Sequence, residues 1–266
     1  SKADVDKKTS SLSRMSEEDP SISINRNADT LEVLMGGIGD THLEVSIEKM
    51  KRKFGVEIEL VTPRVPYMET ISGVSKVEYR HKKQSGGHGQ FGHVWLELEP
   101  LPRGTGFEFG NKIVGGVVPR EYIPSVEKGC RSALTDGVVG GFPVIDLRAT
   151  LVDGSIHTVD SSGVSYEIAG NQALTKGIQR ANPVLLEPIM KASIDVPDSY
   201  TGEIIGDLNA KRGRIQGMFP GGPGITTIEA EVPQAEMLQY AIVLRSQTQG
   251  LGSFTMAFDH YQAVPE

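Results

Sequence analysis

LEPIMKASIDVPDSYTGEIIGDLNAKRGRIQGMFPGGPGITTIEAEV, residues 186–232, decides the fold. Leu186–Val196 reads as a strand, and Asp198 or Ser199 can cap a helix running to Lys211. Gly213–Met218 and Ile225–Val232 then form a hairpin around Pro220-Gly221-Gly222-Pro223-Gly224. Pro233 suits the first turn of a helix carrying Met237, Leu238, Ala241 and Ile242, and Gly252–Phe258 is the closing strand. The order β-α-β-β-α-β is that of the ferredoxin-like split βαβ.

Upstream, a long strand, Glu69–Arg80, leads into HKKQSGGHGQFGHVW, residues 81–95, and the strand His93–Glu99. Four glycines (Gly86, Gly87, Gly89, Gly92) fall within seven positions, so two strands joined by a polar, cationic loop are expected. Glycine lets backbone approach a phosphate chain, Lys82 and Lys83 supply charge, and Gln84, Ser85 and His88 supply hydrogen bonds. A solvated hairpin loop is the plainer alternative. A helix carries Tyr122, Ile123, Val126, Cys130, Ala133 and Leu134, followed by a strand, Val144–Val152. DGSIHTVDSS, residues 153–162, places His157 mid-loop and offers Asp160-Ser161-Ser162 as caps for a helix to about Arg180.

Residues 1–20 read as a helix stopped before Pro20, and Ser21–Asn25 and Thr30–Met35 as strands. Leu43, Ile47, Met50 and Phe54 follow a helical period that Gly55 ends, before a strand at Val56–Val61. Three modules result, at 1–72, 73–184 and 185–266. The fold class is α+β, with ferredoxin-like modules at both ends and a central βαβ domain.

Composition excludes several classes. With 38% hydrophobic and 23% charged residues, the 266-residue chain can build soluble cores, and it holds no apolar run near the ~20 residues that span a bilayer. One cysteine, Cys130, excludes internal disulfides and multi-cysteine metal sites; with no secretory signal at the start, a cytoplasmic location is expected. The net charge of −7 argues against a general nucleic-acid coat, whereas Lys76–His93 carries Lys76, Arg80, Lys82 and Lys83 against Glu78 alone. The chain has no Gly-Lys dipeptide and so no P-loop; His81, His88 and His93 lack metal-ligand spacing. Lys211-Arg212-Gly213-Arg214 either complements a helix C-terminus or contacts phosphate.

HKKQSGGHGQFG, GGVVPREYIPSVEKG (115–129), DGSIHTVDSSG (153–163), ANPVLLEPIMK (181–191), GEIIGDLNAKRGRIQGM (202–218) and LRSQTQGLGSFTMAFDHY (244–261) together resemble bacterial translation elongation factor G. GGIGDTHLEVSIEKMKRKFGVE (36–57) resembles its third domain. The resemblance spans essentially the whole chain and implies domains three, four and five, with a left-handed crossover in the fourth. The family's GTPase domain, which holds GTP and Mg, and its β-barrel second domain have no counterpart here. No cofactor and no catalysis are therefore expected of this chain, and a GTP-hydrolysing parent is implied.

The resemblance implies an arm entering the ribosomal decoding site during tRNA–mRNA translocation, and a fifth domain near the sarcin–ricin RNA. Gln84, Ser85, Gly86, Gly87 and His88, with His157 and Thr158 opposite, then face the codon–anticodon region; Lys82, Lys83, Lys211, Arg212 and Arg214 are the further RNA contacts. The expected partners are the ribosome, tRNA and mRNA, with no membrane, and the expected state is a monomer. The family's GGRGQYG is GGHGQFG here, its GMGELHL is GGIGDTHL, and Gly163 replaces an acid. These departures fit a paralogue acting in ribosome recycling; a standalone ribosome-binding or protection protein without a GTPase domain is the other alternative.

Overall fold

The computed structural model of the chain describes residues 2–27, 30–84 and 89–265. Helix α1 (Lys2–Glu18) ends before Pro20, and β1 (Ser23–Arg26) pairs antiparallel with β2 (Val33–Gly36). Helix α2 (Asp40–Phe54) stops at Gly55, whose φ of 62° is the left-handed cap a glycine adopts without Cβ strain. Then come β3 (Met68–Ile71), β4 (Ser75–Lys83), β5 (Gln90–Pro100), β6 (Phe107–Asn111), α3 (Ile123–Ala133), β7 (Leu147–Ser155) and α4 (Gly163–Arg180). The order closes with β8 (Pro183–Pro197), α5 (Thr201–Ala210), β9 (Arg214–Gly222), β10 (Ile225–Pro233), α6 (Gln234–Met237), α7 (Tyr240–Gln247) and β11 (Ser253–Ala263). The fold class is α+β, as the sequence predicts. The chain forms two compact units, Ser1–Pro66 with Ile189–Asp259 and Tyr67–Pro188 with His260–Glu266.

In the first unit the sheet runs β11-β8-β10-β9, so its strands in chain order lie 4-1-3-2, the split βαβ arrangement. Alternate residues of β8 (Ala192, Ile194, Val196) and β10 (Ile228, Ala230, Val232) bury against Ile204 and Leu208 of α5 and Tyr240 and Leu244 of α7. Pro233 closes β10, paired with Ile189, and caps α6; the single helix expected after it is two, because Gln239 (φ −119°, ψ 16°) leaves helical dihedrals and separates α6 from α7. A smaller core gathers Met15, Ile22, Met50 and Val56. The expected strand Val56–Val61 does not form. Val56 is buried and Ile58 packs on the same core, so the alternation is a strand's, but the backbone joins no ladder.

In the second unit the sheet runs β4-β5-β7-β6; β6 and β7 are parallel, with α3 as their crossover. Val77, Val94, Leu96, Leu98, Ala149 and Leu151 form one core with the inward faces of α3 and α4. The two helices meet through glycine: a Cβ on Gly129 would lie 2.0 Å from the Glu167 carbonyl oxygen, and one on Gly170 2.5 Å from that of Val126. The long strand expected over Glu69–Arg80 is two. Ser72 and Gly73 donate their N–H groups to the carbonyls of Asn182 and Ala181 at the end of α4, so β3 pairs with β8 while β4 pairs with β5. Strand β6, five residues with Phe107 and Phe109 alternating about Glu108, is not among the expected strands.

Glu69 of β3 is fully buried, and its carboxylate accepts five backbone N–H bonds. Those of Val138 (2.7 Å) and Val139 (3.0 Å) reach Oε2; those of Gly140 (2.8 Å), Gly141 (3.1 Å) and Phe142 (3.2 Å) reach Oε1. Burial alone pushes its pKa up, but the converging N–H groups outweigh that and hold it below 4.5.

Candidate functional site

The β4–β5 ladder extends through Lys82↔Phe91 and Lys83↔Gln90, further than the sequence reading placed it. Lys82 and Lys83 therefore sit on a strand, not in a loop. Successive strand residues point to opposite faces, so the two ammonium groups leave the ribbon on different sides. Both are exposed, as is Gln84. Ser85, Gly86, Gly87 and His88 lie outside the described residues.

Asp160 joins this hairpin to the opposite loop. Its Oδ1 accepts the Gly89 N–H (3.0 Å) and its carbonyl accepts the Phe91 N–H (2.8 Å). Phe91 also forms a parallel bridge with Ser161, and its ring lies 5.8 Å from that of His157. Two glycines are explained by this packing rather than by a phosphate. A Cβ on Gly89 would lie 2.8 Å from the Asp160 carboxylate, and one on Gly92 2.4 Å from the Ser165 carbonyl oxygen. Asp160 and Ser161 are thus not helix caps. Ser162 alone is the N-cap of α4, its Oγ accepting from Ser165 N, while Ser161 Oγ accepts the His157 N–H at 2.9 Å.

His157 is half-exposed. Its Nδ1 faces the backbone N–H of Asp160 (3.2 Å) and Val159 (3.4 Å), so in the neutral ring Nδ1 accepts and Nε2 carries the proton. Nδ1 also lies 3.4 Å from Asp160 Oδ2; a protonated ring would turn this nitrogen from acceptor to donor. Thr158 and Val159 are exposed beside it. The end of the sheet thus presents a donor imidazole, an aromatic ring and two lysines that pair with no acid among the described residues. Such a set can stack on a base and neutralise phosphate.

The second basic cluster lies in the other unit. Lys211 pairs with Asp207 (3.2 Å) and Arg212, at φ 59°, with Glu236 (3.3 Å), so both are engaged within the fold. Arg214 is exposed on β9, opposite Glu231. Cys130 is buried, and desolvation pushes its thiol pKa up, away from reactivity. Among the described residues no group of three or more His, Cys, Asp or Glu could hold a metal ion, and no helix is long and apolar enough to cross a membrane. Sequence reasoning missed the Asp160 clamp, for which a DSS triplet before a helix gives only a capping signal.

Family models account for nearly every residue. "Elongation Factor G, domain III" matches residues 1–62, "Elongation factor G, domain IV" residues 63–182 and "Elongation factor G C-terminus" residues 184–266. An elongation factor G-like protein of Thermotoga maritima is 50% identical over 265 residues, which is 100% of this chain and 39% of that protein. A crystal structure of a Thermus thermophilus protein superposes with a TM-score of 0.84 at 41% identity, over 99% of this chain and 39% of that one. The chain thus spans about two fifths of the length of the relatives it matches, and it belongs to the elongation factor G family, of which it carries domains III, IV and the C-terminal domain.

Proposed function

We propose that this chain is the ribosome-engaging portion of a GTP-hydrolysing elongation factor, and that it promotes tRNA–mRNA translocation in the cytoplasm. It acts as a positioned arm rather than a catalyst; GTP and Mg belong to a further domain of the parent. The observation that carries this reading is the Asp160 clamp, which gathers Phe91, His157 and the strand bearing Lys82 and Lys83 at one end of the sheet. His157 presents Nε2–H to the codon–anticodon region, the two lysines meet phosphate, and Gln84, Ser85, Gly86, Gly87, His88 and Thr158 are assigned as further RNA contacts. Lys211, Arg212 and Arg214 are assigned to ribosomal RNA near the sarcin–ricin loop, with Arg214 the group most available.

The test is single-turnover translocation by the full-length protein. His157→Ala is expected to slow it by about tenfold or more, the effect of ~1.4 kcal/mol on the barrier, with the fold unchanged. An unaltered rate removes His157 from the mechanism. A second reading, a paralogue acting in ribosome recycling, is favoured by His88 and Phe91 in GGHGQFG. Subunit splitting without translocation would select it.

A further inference from the structure

A polar triad lies behind the tip, on the sheet face turned away from α4. Val94, Leu96 and Leu98 of β5 enter the core, so His93 alternates to the other face, yet its side chain is only 8% exposed. His93 Nε2 lies 2.8 Å from Glu78 Oε1 on β4, and Nδ1 lies 2.7 Å from Ser155 Oγ, its register partner on β7. A carboxylate only accepts, so Nε2 bears the hydrogen, and Nδ1 of the neutral ring accepts the Ser155 hydroxyl proton. Ser155 is gripped again at its carbonyl by the Tyr166 hydroxyl at 2.9 Å. Tyr166 is fully buried and stacks on Tyr122 at 4.8 Å. Ser155 is also the last residue of β7, two positions before His157.

Packing alone does not call for an imidazole here. Burying a polar ring costs desolvation, and an apolar side chain of like volume commonly replaces such groups without loss of stability. The imidazole adds direction, because bonds at both ring nitrogens fix it between three strands. We propose that His93 is a positioning residue: by holding the Ser155 side chain it sets the root of the 156–161 loop and so the aim of His157. This rests on the RNA-facing reading of the tip.

Three variants test it. His93→Phe keeps the volume and removes both bonds, Ser155→Ala removes one bond from the other end, and His93→Gln can still donate to Glu78 and accept from Ser155. Amide hydrogen exchange is followed at Val159 and Asp160, which contact none of the three residues. His93→Phe and Ser155→Ala are each expected to speed exchange there by about tenfold, the double variant no further, and His93→Gln much less. Exchange in α5 serves as the unchanged control. Unaltered Val159 and Asp160 exchange in folded His93→Phe, or in Ser155→Ala should the first fail to fold, overturns the proposal.

In the full-length protein the same two variants should slow translocation at unchanged ribosome affinity. A loosened loop with a normal rate, while His157→Ala is slow, also overturns the proposal. A loosened loop with neither these two variants nor His157→Ala slow upholds the positioning and overturns the reading of the tip instead.

Discussion

Glu69 shows how one side chain sets the chain path around it. Its carboxylate replaces a regular ladder for Val138–Phe142, a turn-forming stretch whose N–H groups all converge on one acceptor. Because its folded pKa is lowered below 4.5, the stability it contributes is fully present above that value and is lost as pH falls through the depressed one. Glu69→Gln presents an amide NH2 to N–H donors. It is expected to destabilise the fold by roughly 2 kcal/mol or more at neutral pH. It should also flatten the loss of thermal stability expected of the parent as pH falls below 4.5. Calorimetry across that range checks both, and a variant with the parent's acid limb would contradict the assignment. Neither the burial of Glu69 nor its partners, some seventy residues downstream, leaves a local pattern in the sequence.

Among elements, the α3–α4 contact is the most demanding. Gly163 and Gly170 of α4 lie against Ser125 and Val126 of α3, and Gly129 answers from α3, whereas Gly177, one heptad further on, packs on Leu98 and Val77 of the sheet. Ala normally exceeds Gly in helix propensity by about 1 kcal/mol, so Gly170→Ala tests which effect wins. With only 2.5 Å to the Val126 carbonyl oxygen, the added methyl must push the helices apart, and a net loss of about 1–3 kcal/mol in a urea titration is expected. Elements with strong local signals were legible: the α2 stripe closed by Gly55, the β9–β10 hairpin around its Pro-Gly run, and the order of the last module. What escaped depended on distant partners. The break at Ser72–Val74 is imposed by the end of α4, β6 exists because β7 lies beside it, and Val56–Val61 lacks a neighbour to pair with. In the candidate site, His157 was legible as an odd polar residue in a loop, whereas Asp160 and His93 act through tertiary bonds that no spacing encodes.

At the scale of the whole molecule, charge sets the expectation for binding. A chain of net charge −7 is repelled by a polyanion except where cations stand free of internal acids. Lys76, Arg148, Lys211 and Arg212 are spoken for by Glu97, by Glu99 and Glu108, by Asp207 and by Glu236. Lys82 and Lys83, exposed at the end of the β4–β5 ladder, pair with no acid among the described residues. If three or four phosphates are neutralised, log K for ribosome binding should fall with log[salt] at a slope of about −2 to −3, and Lys82→Ala with Lys83→Ala should make that slope shallower by about 1 to 2. Binding assays over a salt series measure both, and an unchanged slope in the double variant places these lysines away from RNA.

The pairing of β3 with the first residues of β8 also bears on how this chain can be divided. The family models meet at residues 182 and 184, yet β8 starts at Pro183, and its Pro183–Leu186 segment is the ladder partner of Met68–Ile71. A fragment trimmed to residues 63–182 would strip β3 of that partner and bare a row of backbone N–H and C=O groups, a template for edge-to-edge aggregation. The junction between the two family matches is therefore not one at which this polypeptide can be cut cleanly.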